Sequence, residues 1–176
     1  MIEVEAKVRL TPADLKQVKQ VLKVMTKPGK KVIKTDAYYG DEKAFSIRIR
    51  EENGKAFFCL KKKNRSRGVE MNQEIDFPLK SGEDFHKWLW KLGIKKTAQK
   101  QKQSLVYNYQ DFHIELNHVA GLGDYLEIET LVEDPKKVPA AKRQLHDLFK
   151  RLGFAPDQFE KKYYLELLQE KEKRVK

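Results

Sequence analysis

The chain has 176 residues, with 37 Lys+Arg against 26 Asp+Glu for a net charge of +11, and a single cysteine. At this length one core buries most apolar side chains, while Cys59 alone excludes an intrachain disulfide and a thiolate zinc site. No run of about 18 apolar residues occurs, and residues 1–5 alternate with charge instead of opening a signal-peptide core, so a soluble, cytoplasmic protein with no membrane partner is expected.

Residues 2–10 alternate strictly. Ile2, Val4, Ala6, Val8 and Leu10 share one face and Glu3, Glu5, Lys7 and Arg9 the other, which is the period of a strand. Thr11-Pro12 predicts an N-cap and first turn, followed by a helix with the stripe Leu15, Val18, Val21 and Leu22 that ends near residues 24–26. Strands are expected over 31–39 and 44–51, joined by the hairpin loop Gly40-Asp41-Glu42-Lys43. Asn53-Gly54 turns into strands over 55–63 and 69–77. Ser81 caps a second helix with the stripe Phe85, Trp88, Leu89 and Leu92, stopped by Gly93; Trp90 falls at its rim. Three more strands are placed at 95–107, 112–117 and 125–132, with Gly121-Leu122-Gly123 making the last bend. A third helix opens at Pro135 or Pro139, carries Ala141, Leu145, Leu148, Phe149 and Leu152, and stops at Gly153. A final helix is expected from about 156 to 169, with a frayed polar end after it. Residues 1–170 read as one domain and 171–176 as a tail. Eight or so strands linked mostly by hairpins imply an α+β fold with an antiparallel sheet.

The strand faces opposite the apolar ones carry Glu3, Glu5 and Lys7; Arg48 and Arg50; Lys61, with Lys63 an open addition; Glu70, Asn72 and Glu74; Lys100 and Lys102; Glu115 and Asn117; Glu127 and Glu129. Any one pair fits an ordinary solvated face. Taken together they do not, because like charges at i and i+2 repel, and two strands carry paired carboxylates while others carry paired bases. A closed sheet with its polar face inside would use them: too charged for a packed core, the lumen binds ligand. Four glutamates at one end offer hard oxygen ligands for Mg2+ or Mn2+, and six or more Lys and Arg face a ligand with several negative charges. A triphosphate fits, and the chemistry is phosphoryl or nucleotidyl transfer.

Glu3-x-Glu5-x-Lys7 resembles the E-x-E-x-K signature of the CYTH domain, the triphosphate tunnel metalloenzymes, which include class IV adenylate cyclases, thiamine triphosphatases and inorganic triphosphatases. Asp36-Ala37-Tyr38-Tyr39, Ile47-Arg48-Ile49-Arg50 and Leu60-Lys61 resemble further segments of that family. So do the block over 114–129, with Gly121-Leu122-Gly123 and Leu126-Glu127-Ile128-Glu129, and the ending Tyr164-Leu165-Glu166-Leu167-Leu168. The resemblance implies a closed eight-stranded antiparallel β barrel forming a tunnel, with helices packed outside. It assigns metal to Glu3, Glu5, Glu127 and Glu129, with Glu115 or Asn117 nearby. It assigns triphosphate to Lys7, Arg48, Arg50, Lys61 and Lys102, and it places Glu5, Lys7 and Glu129 in catalysis. A homodimer is plausible from the resemblance alone. One departure stands out: the family's K-x-R pair on the sixth strand falls on Lys102 and Ser104, so the arginine is missing and Lys100 is the compensating candidate.

The expected function is a divalent-metal-dependent triphosphatase acting on inorganic triphosphate or a small organic triphosphate. An adenylate cyclase of the same family is the alternative, and a non-catalytic polyphosphate or RNA binder a second one. Nucleic acid is not the first reading, because the basic excess is spaced by twos on strands. His113, in step with Glu115, is an acid–base candidate weighed against a simply hydrogen-bonded histidine, and Tyr38 or Tyr39 a ligand contact weighed against core packing.

Overall fold

The structure is a computed structural model that describes residues 1–41 and 44–175. Its nine strands are β1 (Ile2–Arg9), β2 (Lys30–Asp41), β3 (Phe45–Glu52), β4 (Lys55–Lys62), β5 (Arg65–Ser66), β6 (Val69–Leu79), β7 (Ala98–Tyr109), β8 (Phe112–Val119) and β9 (Gly123–Val132). Around them lie α1 (Pro12–Met25), α2 (Gly82–Lys91), α3 (Val138–Arg151) and α4 (Tyr164–Val175). The strands are hydrogen-bonded in the order β1-β9-β8-β7-β2-β3-β4-β6, and a further β1–β6 pairing closes this ring of eight. Every pairing is antiparallel. Two-residue β5 adds to the rim of β6. The expected barrel is therefore present. Glu42 and Lys43, in the hairpin loop expected between the second and third strands, lie outside the described residues.

Closure inverts the usual layering. The apolar faces of β1, β8 and β9 point outward, where Val4, Ala6, Val8, Ile114, Leu126 and Ile128 join Val18 and Leu22 of α1 and Leu145, Leu148 and Phe149 of α3 in one buried cluster. The hydrophobic core thus sits between barrel and helices, and burial of these side chains supplies the main driving force for the fold. α1 begins where Thr11-Pro12 placed it. The Thr11 side chain accepts from the Asp14 N–H while the Asp14 carboxylate accepts from the Thr11 N–H, a reciprocal cap.

Several boundaries differ from the sequence reading, each for a local reason. Pro156 starts only a short 3-10 turn, Pro156–Gln158. The chain then crosses the barrel end, with the Glu160 N–H donating to the Lys7 carbonyl at 2.8 Å, and α4 starts at Tyr164. Residues 169–175, expected as a frayed end, continue that helix. The stripe of α2 is only partly used. Phe85 packs its ring 5.7 Å from Phe58 and Leu89 is half-buried, but Trp88 and Leu92 are exposed, as is Trp90. Among the described residues no helix is long and apolar enough to cross a membrane.

Gly68 turns the chain between β5 and β6 at φ +80°, and a Cβ there would stand 2.8 Å from Cβ of buried Phe159. Both the left-handed backbone and the close approach require glycine. Gly68→Ala is expected to destabilise by about 2 kcal/mol, read as a melting-temperature drop of roughly 4–8 °C. An unchanged melt would mean that the segment over 156–163 does not press on the barrel as described.

Candidate active site

Because side chains alternate along a strand, closing the barrel turns every second residue into the lumen. The lumen is a cavity of about 400 Å3. Glu3, Glu5, Lys7, Arg48, Arg50, Lys61, Lys100, Lys102, Glu127 and Glu129 all line it, so the structure brings the sequence-predicted site residues together. Lys63, Glu70, Glu74 and Glu115 line it as well. Lys100 faces inward beside Lys102. Ser104, where the family pattern has arginine, is buried with its hydroxyl donating to Asn117 Oδ1 at 2.6 Å. The sixth-strand position therefore carries no cation.

The charges are arranged in linked clusters. Asp36 on β2, fully buried, accepts from Arg50 Nε at 2.8 Å and lies 2.8 Å from Lys100 Nζ and 3.7 Å from an Arg48 nitrogen. Burial opposes its ionisation, but Lys100, Arg50 and Arg48 together hold the carboxyl well below the usual range. Glu74 bonds Arg48 and lies 3.4 Å from Lys61, and these cations outweigh burial to lower its pKa. Lys61 also reaches Glu3 at 2.8 Å and Glu5 at 3.8 Å. Lys7 pairs with Glu70, and Asn72 links Glu70 to Glu3. Lys102 sits 2.5 Å from Glu115 and 3.0 Å from Glu127, and against the effect of burial it keeps Glu127 ionised, with a pKa of about 2.

One cluster is not balanced. Glu3, Glu5 and Glu129 bring carboxylate oxygens within 4.8 Å of one another. Glu129 has no Lys, Arg or His within ion-pair distance among the described residues. Burial pushes the pKa of Glu5 up, with Glu70, Glu127 and Glu3 adding repulsion; burial, Glu3, Glu127 and Glu115 do the same to Glu129. Three hard oxygen donors converging where cationic side chains are deficient is a donor set suited to Mg2+ or Mn2+. Opposite β1 and β9, four strands around the ring, β2 and β3 present the excess of base. Two buried donors, Arg48 Nε and Asn117 Nδ2, have no acceptor.

One end of the lumen is closed from outside the barrel. The Tyr163 hydroxyl donates to Asn72 Oδ1 at 3.1 Å, and its ring lies 4.7 Å from the Arg65 guanidinium and 5.2 Å from Lys63 Nζ. The Tyr164 ring stands 5.2 Å from Lys7 Nζ and 5.4 Å from Lys100 Nζ, stacked edge-on with Tyr125. Burial, the largest influence on both phenols, pushes them well up, so they stay neutral. Sequence reasoning did not place Tyr163 in the lumen, nor Lys34, Asp36 and Asp76. The β2 pair carries the same two-residue spacing and was legible on that ground; Tyr163 enters from a loop and leaves no such signal. Of the two tyrosines weighed on β2, Tyr38 lines the cavity, whereas a bulge sends Tyr39 outward to bond His86. His113 reaches Glu115 at 3.2 Å from the open side.

A CYTH domain model matches residues 1–164. The chain belongs to the CYTH domain family. Over 173 residues this CYTH chain is 30% identical to "Putative adenylate cyclase MJ0240" of Methanocaldococcus jannaschii, covering 95% of this chain and 98% of that one. The structure of the PH1012 protein from Pyrococcus horikoshii superposes with a TM-score of 0.82 at 27% identity, covering 94% of this chain and 99% of the other. HpAC1 from Hippeastrum, an adenylyl cyclase by name that is described as having a dominant triphosphatase activity, shares the fold at a TM-score of 0.66 and 19% identity, over 96% and 95% of the two chains. The CYTH family comprises enzymes acting on small triphosphates, generally with a divalent metal.

Asp36 gives this subsection its test. Asp36→Asn leaves Arg48, Arg50 and Lys100 buried without their shared counter-ion, and a loss of about 3 kcal/mol is expected near neutral pH. The folded-state pKa of Asp36 is depressed, so its contribution is present above the unfolded value near 3.9 and fades as pH falls below it. Denaturant melts of wild type and variant are expected to differ fully at pH 7 and to converge in acid.

Proposed function

We propose that this protein is a divalent-metal-dependent triphosphatase that hydrolyses inorganic triphosphate or a small organic triphosphate inside the tunnel. One observation carries the reading: the same cavity holds a carboxylate cluster lacking cations and, across the barrel, a wall of Arg48, Arg50, Lys61 and Lys100. Glu3, Glu5 and Glu129 hold the metal, Mg2+ or Mn2+. When bound it supplies Lewis-acid stabilisation of phosphoryl oxygens and lowers the pKa of water. Glu127 stands next to them, tied to Lys102; a polyphosphate that draws Lys102 away leaves Glu127 to join the cluster.

The chain's own residues do the rest by position and charge. Arg48, Arg50, Lys61, Lys100 and Lys102 exchange carboxylate partners for phosphate oxygens. They are already desolvated and fixed by Asp36, Glu74 and Glu115, so little ordering is needed on binding. Lys7, between Glu5 and Glu127 and capped by Tyr164, offsets charge on the phosphoryl group under attack. Water adds to the terminal phosphorus, the bridging P–O bond breaks, and the leaving phosphate chain keeps the electron pair. Glu5, Glu129 and Lys7 thus carry catalysis, and Lys7, Arg48, Arg50, Lys61, Lys100 and Lys102 carry binding.

A second reading is adenylate cyclase, in which the ribose 3′-hydroxyl of ATP attacks the α-phosphorus and pyrophosphate leaves. The Tyr163 ring with Arg65 and Lys63 at the tunnel end favours it by offering a base a stacking surface. The relative MJ0240 carries that activity in its name. The deciding assay follows phosphate, pyrophosphate and cyclic AMP from triphosphate, thiamine triphosphate and ATP with Mg2+ or Mn2+. Phosphate release from triphosphate without cyclic AMP from ATP is expected. Metal-independent, salt-sensitive binding with no turnover would show a polyphosphate or RNA binder instead.

Glu5→Gln, which keeps shape and removes charge, is expected to lower kcat on the order of 10^2-fold or more with an unchanged melt. Arg48→Ala is expected to raise KM between roughly 10- and 100-fold, the worth of one hydrogen bond to a charged group. Wild-type rates in Glu5→Gln on every substrate would overturn the tunnel chemistry.

A further inference from the structure

The outer wall of β3, β4 and β6 with α2 is a surface that the fold leaves uncovered. Trp88 is 67% exposed, Trp90 75% and Leu92 63%. On the neighbouring sheet face Ile75 and Phe77 are each 54% exposed, and Leu60, directly across from Ile75, 37%. The two halves are continuous, because the Phe58 ring lies 6.4 Å from Phe77 on one side and 5.7 Å from Phe85 of α2 on the other. Side chains of this size at these exposures present on the order of 800 Å2 of apolar surface, above the largest patch of an ordinary monomer and equal to one side of a standard protein interface.

The charges around the patch choose the occupant. The first turn of α2 is acidic, with Glu83 and Asp84, and the stretch from its last turn onward is basic, with Lys91, Lys95 and Lys96. An anionic membrane would attract one end and repel the other. A second copy set antiparallel about a two-fold axis brings each acidic end onto the partner's basic end, while the tryptophans and the Ile75–Phe77 face close on their counterparts. We propose that this wall is an isologous homodimer interface built on antiparallel α2 helices. It does not depend on the reaction assigned to the tunnel. It does bear on the site: the inner faces of the same three strands carry Arg48, Lys61 and Glu74, so the partner buttresses the phosphate-binding wall from behind.

The test is sedimentation velocity of the full chain over a range of concentrations. Wild type is expected at twice the 20.7 kDa chain mass. Phe77→Glu with Trp88→Glu is expected at half the wild-type mass with an unchanged far-UV spectrum. Because that pair could disturb folding, a second set changes only surface charge. Glu83→Lys with Asp84→Lys is expected to weaken the dimer at least tenfold, and adding Lys91→Glu, Lys95→Glu and Lys96→Glu to restore it. Three results overturn the proposal: a monomeric wild type, including one that instead co-sediments with phosphatidylserine vesicles; a folded Phe77→Glu/Trp88→Glu variant that stays dimeric; or a charge reversal that is not rescued by its counterpart.

Discussion

A barrel lined with acids and bases has to pair them before it can close. Desolvating one carboxylate or ammonium costs several kcal/mol, and only close opposite charges offset it. Asp36 does this for three cations, Glu74 for two and Lys102 for two carboxylates, and each group comes from a different strand of the ring. The strand register is therefore held from two sides: by the apolar cluster outside, which a one-residue slip would turn inward, and by the ion pairs inside, which the same slip would scatter. Stability comes chiefly from the outer layer. The inner one supplies specificity, and its unbalanced corner at Glu3, Glu5 and Glu129 is where chemistry is expected.

What the sequence revealed follows from this division. Period-two charge along residues 3–7, 48–50, 100–102 and 127–129 is a local property, so the lumen could be read without knowing which strands meet. The hub at Asp36 could not, because its partners Arg48, Arg50 and Lys100 come from two other strands, one of them more than sixty positions away. The same limit applies to Tyr163, whose place depends on where a loop crosses the barrel end. Helix α2 gave a different kind of miss. Its stripe is amphipathic, but amphipathicity specifies that a face needs cover, not that the same chain provides it. Pro156 likewise is a correct local signal, for a turn too short to be a helix.

The pre-paired cations also shape binding. In solution Arg48, Lys61 and Lys102 would each need to be dehydrated and immobilised by a ligand; here both costs are met on folding, and a polyanion has only to displace carboxylates. Such exchange favours ligands with many charges over those with one, since a single phosphate cannot replace Asp36, Glu74 and Glu115 together. Ser104, neutral and occupied with Asn117, marks where that wall of charge stops.

The β1–β9 pairing has a consequence for synthesis. The first strand made finds one neighbour in β6 but must wait for residues 123–132 to gain the other, and α4 seals the lumen later still. A nascent chain therefore carries an open, curved sheet through most of its translation. In an ordinary barrel that intermediate would expose a greasy inner surface to the crowded ribosome exit; here the unfinished inner surface is ionic and keeps its water until the last strand arrives. The charges that make the finished tunnel expensive to close also keep the unfinished one from sticking.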